Sequence, residues 1–220
     1  LEDDEPRRQI VVRVRHEGTM LHRFAELNRR VDVLGEEVAR RAHTEHALLV
    51  TQLRLWDANA ELARLAEHDA LTGVANRRGF DRALAFAIED ACARGTGLAL
   101  VLFDLDHFKR LNDAAGHLEG DRCLVAVADV LKSVFRRSDE VARFGGEEFA
   151  AVVSGLDLEE AKAIALRALA AVRDARLPHP DSPLGEVVTM SAGIAYVIGQ
   201  ETIEATRLLK IADDALYAAK

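Results

Sequence analysis

The sequence predicts an α/β protein, a central sheet flanked by helices, preceded by one long helix with a coiled-coil repeat. Three observations carry this. Apolar residues recur on a seven-residue beat from Phe24 to Leu62. Helix-like and strand-like runs alternate from Asp69 to the end, and glycine or proline marks several of the junctions between them.

From Phe24 to about Leu65 there is no proline, and the only glycine is Gly35. With Phe24 as heptad position a, Val31 and Val38 also fall at a, while Leu27, Leu34, Leu48, Leu55 and Leu62 fall at d. Arg41 interrupts the d series, and Glu45, Gln52 and Asn59 occupy the later a positions. A parallel two-stranded coil fits this pattern, the polar a residues weakening the seam while fixing its register. An amphipathic helix lying on a neighbouring domain is the alternative. Ile10 to Val14 reads either as a short strand or as the end of an upstream regulatory helix. Residues 1–66 are therefore expected to form a dimerisation and signal-transmission segment, and 67–220 a globular domain.

Within that domain, Phe80, Leu84, Ile88 and Cys92 share a helical spacing that Gly95 and Gly97 end. Leu98 to Phe103 is an apolar run bounded by polar residues, hence a buried strand. Helices follow over Phe108 to Ala115 and Asp121 to Phe135. Short β-prone runs, Val141 to Phe144 and Phe149 to Val153, flank Gly145-Gly146 as a hairpin. Leu158 to Ala175 is an Ala- and Leu-rich helix, Val187 to Val197 a strand, and Ile203 to Lys220 a closing helix. Pro178, Pro180 and Pro183 mark the loop between the first two.

The 220 residues carry a formal charge of −8. That excess argues against a general nucleic-acid or anionic-membrane binder, so an anionic ligand would need locally placed cations or a metal. Cys92 and Cys123 both lie in apolar helical stretches, which predicts buried thiols in a reducing compartment, the cytoplasm. No apolar run is long enough to cross a bilayer. The chain starts at Leu1 and reads as a piece of a longer receptor or response regulator.

Asp104 and Asp106 follow an apolar strand, where carboxylates emerge at a sheet edge that often carries a ligand site. Mg²⁺, a hard ion that prefers oxygen ligands, suits such a pair; an Asp capping the next helix is the competing reading. In Gly145-Gly146-Glu147-Glu148-Phe149 the paired glycines suit the positive φ of a tight turn and let a ligand approach the backbone. Two carboxylates right after the turn project toward the Asp104 site, and three acids could hold two divalent ions for phosphoryl or nucleotidyl transfer. A solvated hairpin tip is the bland alternative.

Arg143-Phe144-Gly145-Gly146-Glu147-Glu148-Phe149 resembles the signature of the GGDEF diguanylate cyclase family in its GGEEF form. Further blocks resemble the family in order: Asp69-Ala70-Leu71-Thr72-Gly73 with Asn76-Arg77-Arg78, Phe103 to Asp113, Gly116 to Asp121, Ser191 to Ala195, and Ala212 to Lys220. The likeness runs from roughly Leu65 to Lys220. It implies a palm-like domain, with a central mainly antiparallel sheet, that binds one GTP per protomer. Two such protomers, facing each other as a homodimer joined by the N-terminal helix, would condense two GTP into cyclic di-GMP and release two pyrophosphates.

By the same resemblance, Asp104, the Leu105 carbonyl and Glu147 are expected to hold two Mg²⁺ ions, with Mn²⁺ as a substitute. Glu147 or Glu148 would take the hydroxyl proton, Glu147 being favoured. Asn112 and Asp121 match positions that read guanine, and His117 a residue lining that pocket. Phe108 belongs to the same substrate-binding set. Lys109 and Lys220 match positions facing the phosphates. The family's Gly-Arg-Asn segment, whose Arg also touches the triphosphate, would follow Lys220. Arg136 and Asp139 have the RxxD spacing of the family's product-inhibition site, which Arg167 would complete; there cyclic di-GMP would act as feedback inhibitor. An i, i+3 ion pair at a helix end is the plain alternative for Arg136 and Asp139. Two rivals stand beside the cyclase: a catalytically silent module that binds GTP or cyclic di-GMP, and a scaffold in which the coil alone matters.

Overall fold

A computed structural model describes residues 17–199 and 204–220, with backbone alone for 17–19 and 60–65. The expected Ile10 to Val14 element lies outside the described residues, as does Ile203. Two compact units result, one ending at Asn59 and the other spanning Ala60–Lys220.

The first helix, α1 (Glu17–Glu67), is continuous, as the absence of proline permits. It fits a coiled coil. In the single chain its a and d residues stand exposed: Phe24 at 65%, Val31 at 59% and Leu55 at 59%. Among the described residues no helix is long and apolar enough to cross a membrane.

The second unit follows the order α2 (Arg77–Arg94), β1 (Gly97–Leu105), α3 (Phe108–Ala115), α4 (His117–Val134), β2 (Glu140–Arg143), β3 (Glu148–Ser154), α5 (Leu158–Asp174), β4 (Met190–Ile198) and α6 (Ala205–Ala219). The strands form one antiparallel sheet in the order β2-β3-β1-β4. Central β1 is covered on both faces, which is why Leu98 to Phe103 is apolar without alternation. Val101, Phe103 and Leu105 pack with Leu124, Val127, Leu131, Ile164 and Ala168 of α4 and α5. Leu98, Leu100 and Leu102 pack with Phe80, Leu84, Leu208 and Leu216 of α2 and α6. Phe103 and its cross-strand partner Phe149 are both fully buried, each contributing roughly 1.5–3 kcal/mol of apolar transfer energy.

Several boundaries differ from expectation. Helix α4 begins at His117, because Gly116 alone makes the break from α3, at φ 85° and ψ 157°. Strand β4 begins at Met190; Val187 instead forms an isolated bridge with Pro178. Cys92 is exposed, a correction to the expected buried thiol. The buried stripe of α2 runs through Phe80, Leu84, Ala87 and Ala91, and the next residue has already rotated outward. Cys123 is buried, and burial pushes its thiol up to about 11.

Candidate active site

Asp104, near the end of β1, pairs across the sheet with Glu148 on β3 and Ser191 on β4. Laterally paired residues share a face, so Asp104 and Glu148 project together on the side that α2 and α6 cover. Asp104 is 9% exposed, and Lys220 Nζ lies 2.6 Å from its Oδ1. The Leu105 amide donates to the Glu147 carbonyl over 3.3 Å, which ties the Glu147 backbone to the same strand end. Burial pushes the Glu148 carboxyl above the usual carboxylate range, and the charges of Asp104, Glu147 and Asp213 push it further, with Lys220 opposing them. The structure therefore gathers the three acids singled out in the sequence and adds Asp213, which the sequence reading missed. Its place on α6, one residue after buried Ala212 and seven before Lys220, is the signal that could have found it.

Asp106 takes a different course from the Asp-x-Asp reading. Its two carboxylate oxygens accept from Thr189 Oγ1 and Ser191 Oγ, each at 2.7 Å, and its amide donates to the Thr189 carbonyl. It fastens the turn after β1 to the start of β4, two hydroxyls meeting one carboxylate.

The hairpin glycines do not take the positive φ expected of a two-residue turn. The loop between β2 and β3 is longer, so ordinary backbone angles suffice: the Phe144 and Gly145 amides both donate to the Glu148 carbonyl, at 2.8 and 3.3 Å. What the loop uses is the missing side chains. A Cβ on Gly145 would overlap Glu148 Oε2, whereas a Cβ on Gly146 would meet open space. Gly146 thus leaves the tip bare to an approaching ligand.

Asn112 is half-buried on α3, seated against Gly120 of α4, where any Cβ would overlap its Oδ1. Asp121 follows directly and is exposed, as are His117 and Lys109. Phe108 is only 7% exposed and packs in the core. At the far end of α4, the Asp139 carboxylate accepts from the Arg136 amide at 2.9 Å, a side chain-to-backbone turn and not the i, i+3 ion pair that stood as the plain alternative. Among the described residues no side chain pairs with the Arg136 guanidinium. Arg167 joins the same corner by donating to the Val134 carbonyl over 3.0 Å.

The donors at the strand end are all oxygen, and the carboxylates there outnumber the ammonium groups. That chemistry fits a hard divalent cation. As they stand, no three acidic, imidazole or thiol side chains among the described residues are close enough to hold one, and Asp104 is paired with Lys220.

Sheet order and a carboxylate-lined strand end together define a palm-like α/β domain of the GGEEF type. The family model described as "Diguanylate cyclase, GGDEF domain" matches residues 66–220, and the chain belongs to that family. It is 39% identical over 152 residues to diguanylate cyclase DgcP of Pseudomonas aeruginosa, covering 69% of this chain and 22% of DgcP. It is 35% identical to the cyclic di-GMP phosphodiesterase NbdA of the same organism, covering 74% of this chain and 20% of NbdA. The chain thus spans about a fifth of each of these relatives. The coiled coil and GGDEF domain of DgcB from Caulobacter crescentus, solved in complex with c-di-GMP, is similar with a TM-score of 0.69 and 31% identity, over 82% of this chain and 92% of that one. Diguanylate cyclase SiaD from Pseudomonas aeruginosa, solved with its activator SiaC, is similar with a TM-score of 0.61 and 29% identity, over 91% of this chain and 80% of that one.

Proposed function

We propose that this chain is a working diguanylate cyclase: as a homodimer it condenses two GTP into cyclic di-GMP and two pyrophosphates. The observation that carries the reading is the convergence of Asp104, Glu147 and Glu148 on one strand end beside a bare glycine tip. Asp104, the Leu105 carbonyl and Glu147 are the residues that would hold divalent Mg²⁺. Bound there, the ions would lower the pKa of the attacking 3′-hydroxyl and offset the triphosphate charge. Glu147 is assigned the hydroxyl proton, with Glu148 as its neighbour. Asn112 and Asp121 would read guanine, the Asp121 carboxylate accepting from the N1 and N2 donors that adenine lacks. Lys109 and Lys220 would face phosphate oxygens, Lys220 turning from Asp104 to do so.

Each protomer supplies half of the reacting atoms, so the exposed seam of α1 is assigned the pairing of two copies. Arg136, Asp139 and Arg167 are assigned the product brake: the Asp139 carboxylate holds the Arg136 amide and Arg167 docks on the nearby Val134 carbonyl, and two guanidinium groups with a carboxylate would suit a guanine and a phosphate.

The Lys220–Asp104 ion pair favours a second reading, a module that binds nucleotide without turnover. Chromatography of the wild type and Glu147→Ala after incubation with GTP and Mg²⁺ separates the two. Dinucleotide from the wild type alone supports the cyclase; nucleotide binding without product from a demonstrated dimer supports the silent module.

A further inference from the structure

The turn between β1 and α3 has an unusual backbone. His107 has φ 56° and ψ 27°, the left-handed region in a residue that is not glycine. Such a conformation lasts only where neighbouring structure holds it. The His107 carbonyl accepts from the Arg110 amide at 2.8 Å and the Leu111 amide at 3.4 Å, which starts α3. A third donor comes from 72 residues away: His179 Nε2, at 3.2 Å. A carbonyl can only accept, so Nε2 carries the proton.

His179 is 1% exposed, and its Nδ1 is, among the described residues, the one buried side-chain polar atom without a hydrogen-bond partner. An apolar side chain of similar size would fill the space and leave no acceptor unpaired, so packing alone does not call for histidine here. What the position uses is the Nε2 donor. The segment around it grips the same turn at further points. Asp181 Oδ2 accepts from Arg110 Nε at 2.8 Å, and Thr189 and Ser191 hold Asp106. The segment is itself braced by the His179 amide on the Glu186 carbonyl and the Val188 amide on the Leu177 carbonyl.

We infer that His179 is a positioning residue for nucleotide binding. Through the His107 carbonyl it holds the left-handed turn that sets the Leu105 carbonyl toward the metal ions that accompany the triphosphate and Lys109 toward its phosphates. The inference rests on the GTP reading above. It assigns the triphosphate end of the site to the strap of residues 179–191, and leaves the guanine end to Asn112 and Asp121.

The test uses the full chain as wild type, His179→Leu and His179→Gln, since the Gln amide can donate where Nε2 does. Binding of the α,β-methylene analogue of GTP with Mg²⁺ is measured by calorimetry, binding of guanosine alone by NMR, and exchange of the Arg110 and Leu111 amides by hydrogen-deuterium exchange. His179→Leu is expected to weaken the triphosphate analogue about tenfold, the equivalent of one ordinary hydrogen bond. Guanosine binding should stay unchanged, the two amides should exchange faster, and His179→Gln should restore both properties. The inference is overturned if His179→Leu binds the analogue like the wild type, or if guanosine binding falls equally. Should the wild type itself fail to bind the analogue, the GTP reading fails separately. The exchange rates then decide the strap: unchanged rates in His179→Leu overturn it, faster rates rescued by Gln support it.

Discussion

Arg143 Nη1 lies 3.1 Å from Asp69 Oδ1, across 74 positions of sequence. The same guanidinium donates through Nε and Nη2 to the Gly146 carbonyl, at 3.1 and 2.9 Å. One side chain thus joins the Asp69-Ala70-Leu71-Thr72-Gly73 block to the hairpin tip. Asp69 also accepts from the Thr72 amide and hydroxyl.

That carboxylate sets a pH dependence. Burial pushes the Asp69 carboxyl up, but the Thr72 hydrogen bonds and the Arg143 charge outweigh it and hold it below the usual range. A depressed acid contributes stability above its unfolded pKa and loses it as pH falls through the folded value. Asp69→Asn is expected to lower unfolding stability by about 1–2 kcal/mol at neutral pH. The gap from wild type should close below roughly pH 4, which urea denaturation at several pH values checks.

Glu148 has the opposite sign. Burial and three neighbouring carboxylates raise its folded pKa, so its charged form opposes folding as pH rises through that value. Glu148→Gln is expected to raise Tm at neutral pH and to give no gain once pH falls below the unfolded carboxylate pKa. Thermal melts at both ends of that range read the difference.

Gly145 and Gly146 are expected to separate two effects. Gly145→Ala drives the flexible end of Glu148 aside, so cyclase activity should fall while the fold persists. Gly146→Ala meets open space and ordinary backbone angles, so Tm should stay within about 1 °C while affinity for GTP falls. Equal losses of Tm in both would contradict this division.

The seam carries its own expectation. Val31→Asp with Leu34→Asp places charges on an exposed apolar stripe and should give monomers by sedimentation equilibrium, with product formation lost and GTP binding kept. Full activity from a monomer would remove the coil from the mechanism.

Much of this was legible in the sequence because it is local. The apolar run of β1 and the heptads of α1 each declare themselves within one element, and the GGEEF acids sit where a hairpin must put them. What was hidden depends on partners far along the chain. Asp106 reads as a free site carboxylate until Thr189 and Ser191 are brought beside it by β4. His179 reads as a loop residue until the turn at His107 is seen. Cys92 reads as buried because the helical stripe fixes which face is covered only after the sheet is in place. Gly145 and Gly146 suggest left-handed angles, whereas the structure needs only their missing side chains.

The most direct measurement follows GTP consumption by the wild-type protein with Mg²⁺, resolving dinucleotide and pyrophosphate over a range of protein concentrations. A diguanylate cyclase releases two pyrophosphates per cyclic di-GMP, with a rate per protomer that rises with concentration until the dimer is complete, and none of this survives in Glu147→Ala. Absence of any dinucleotide from a protein that is dimeric and binds GTP would contradict the account.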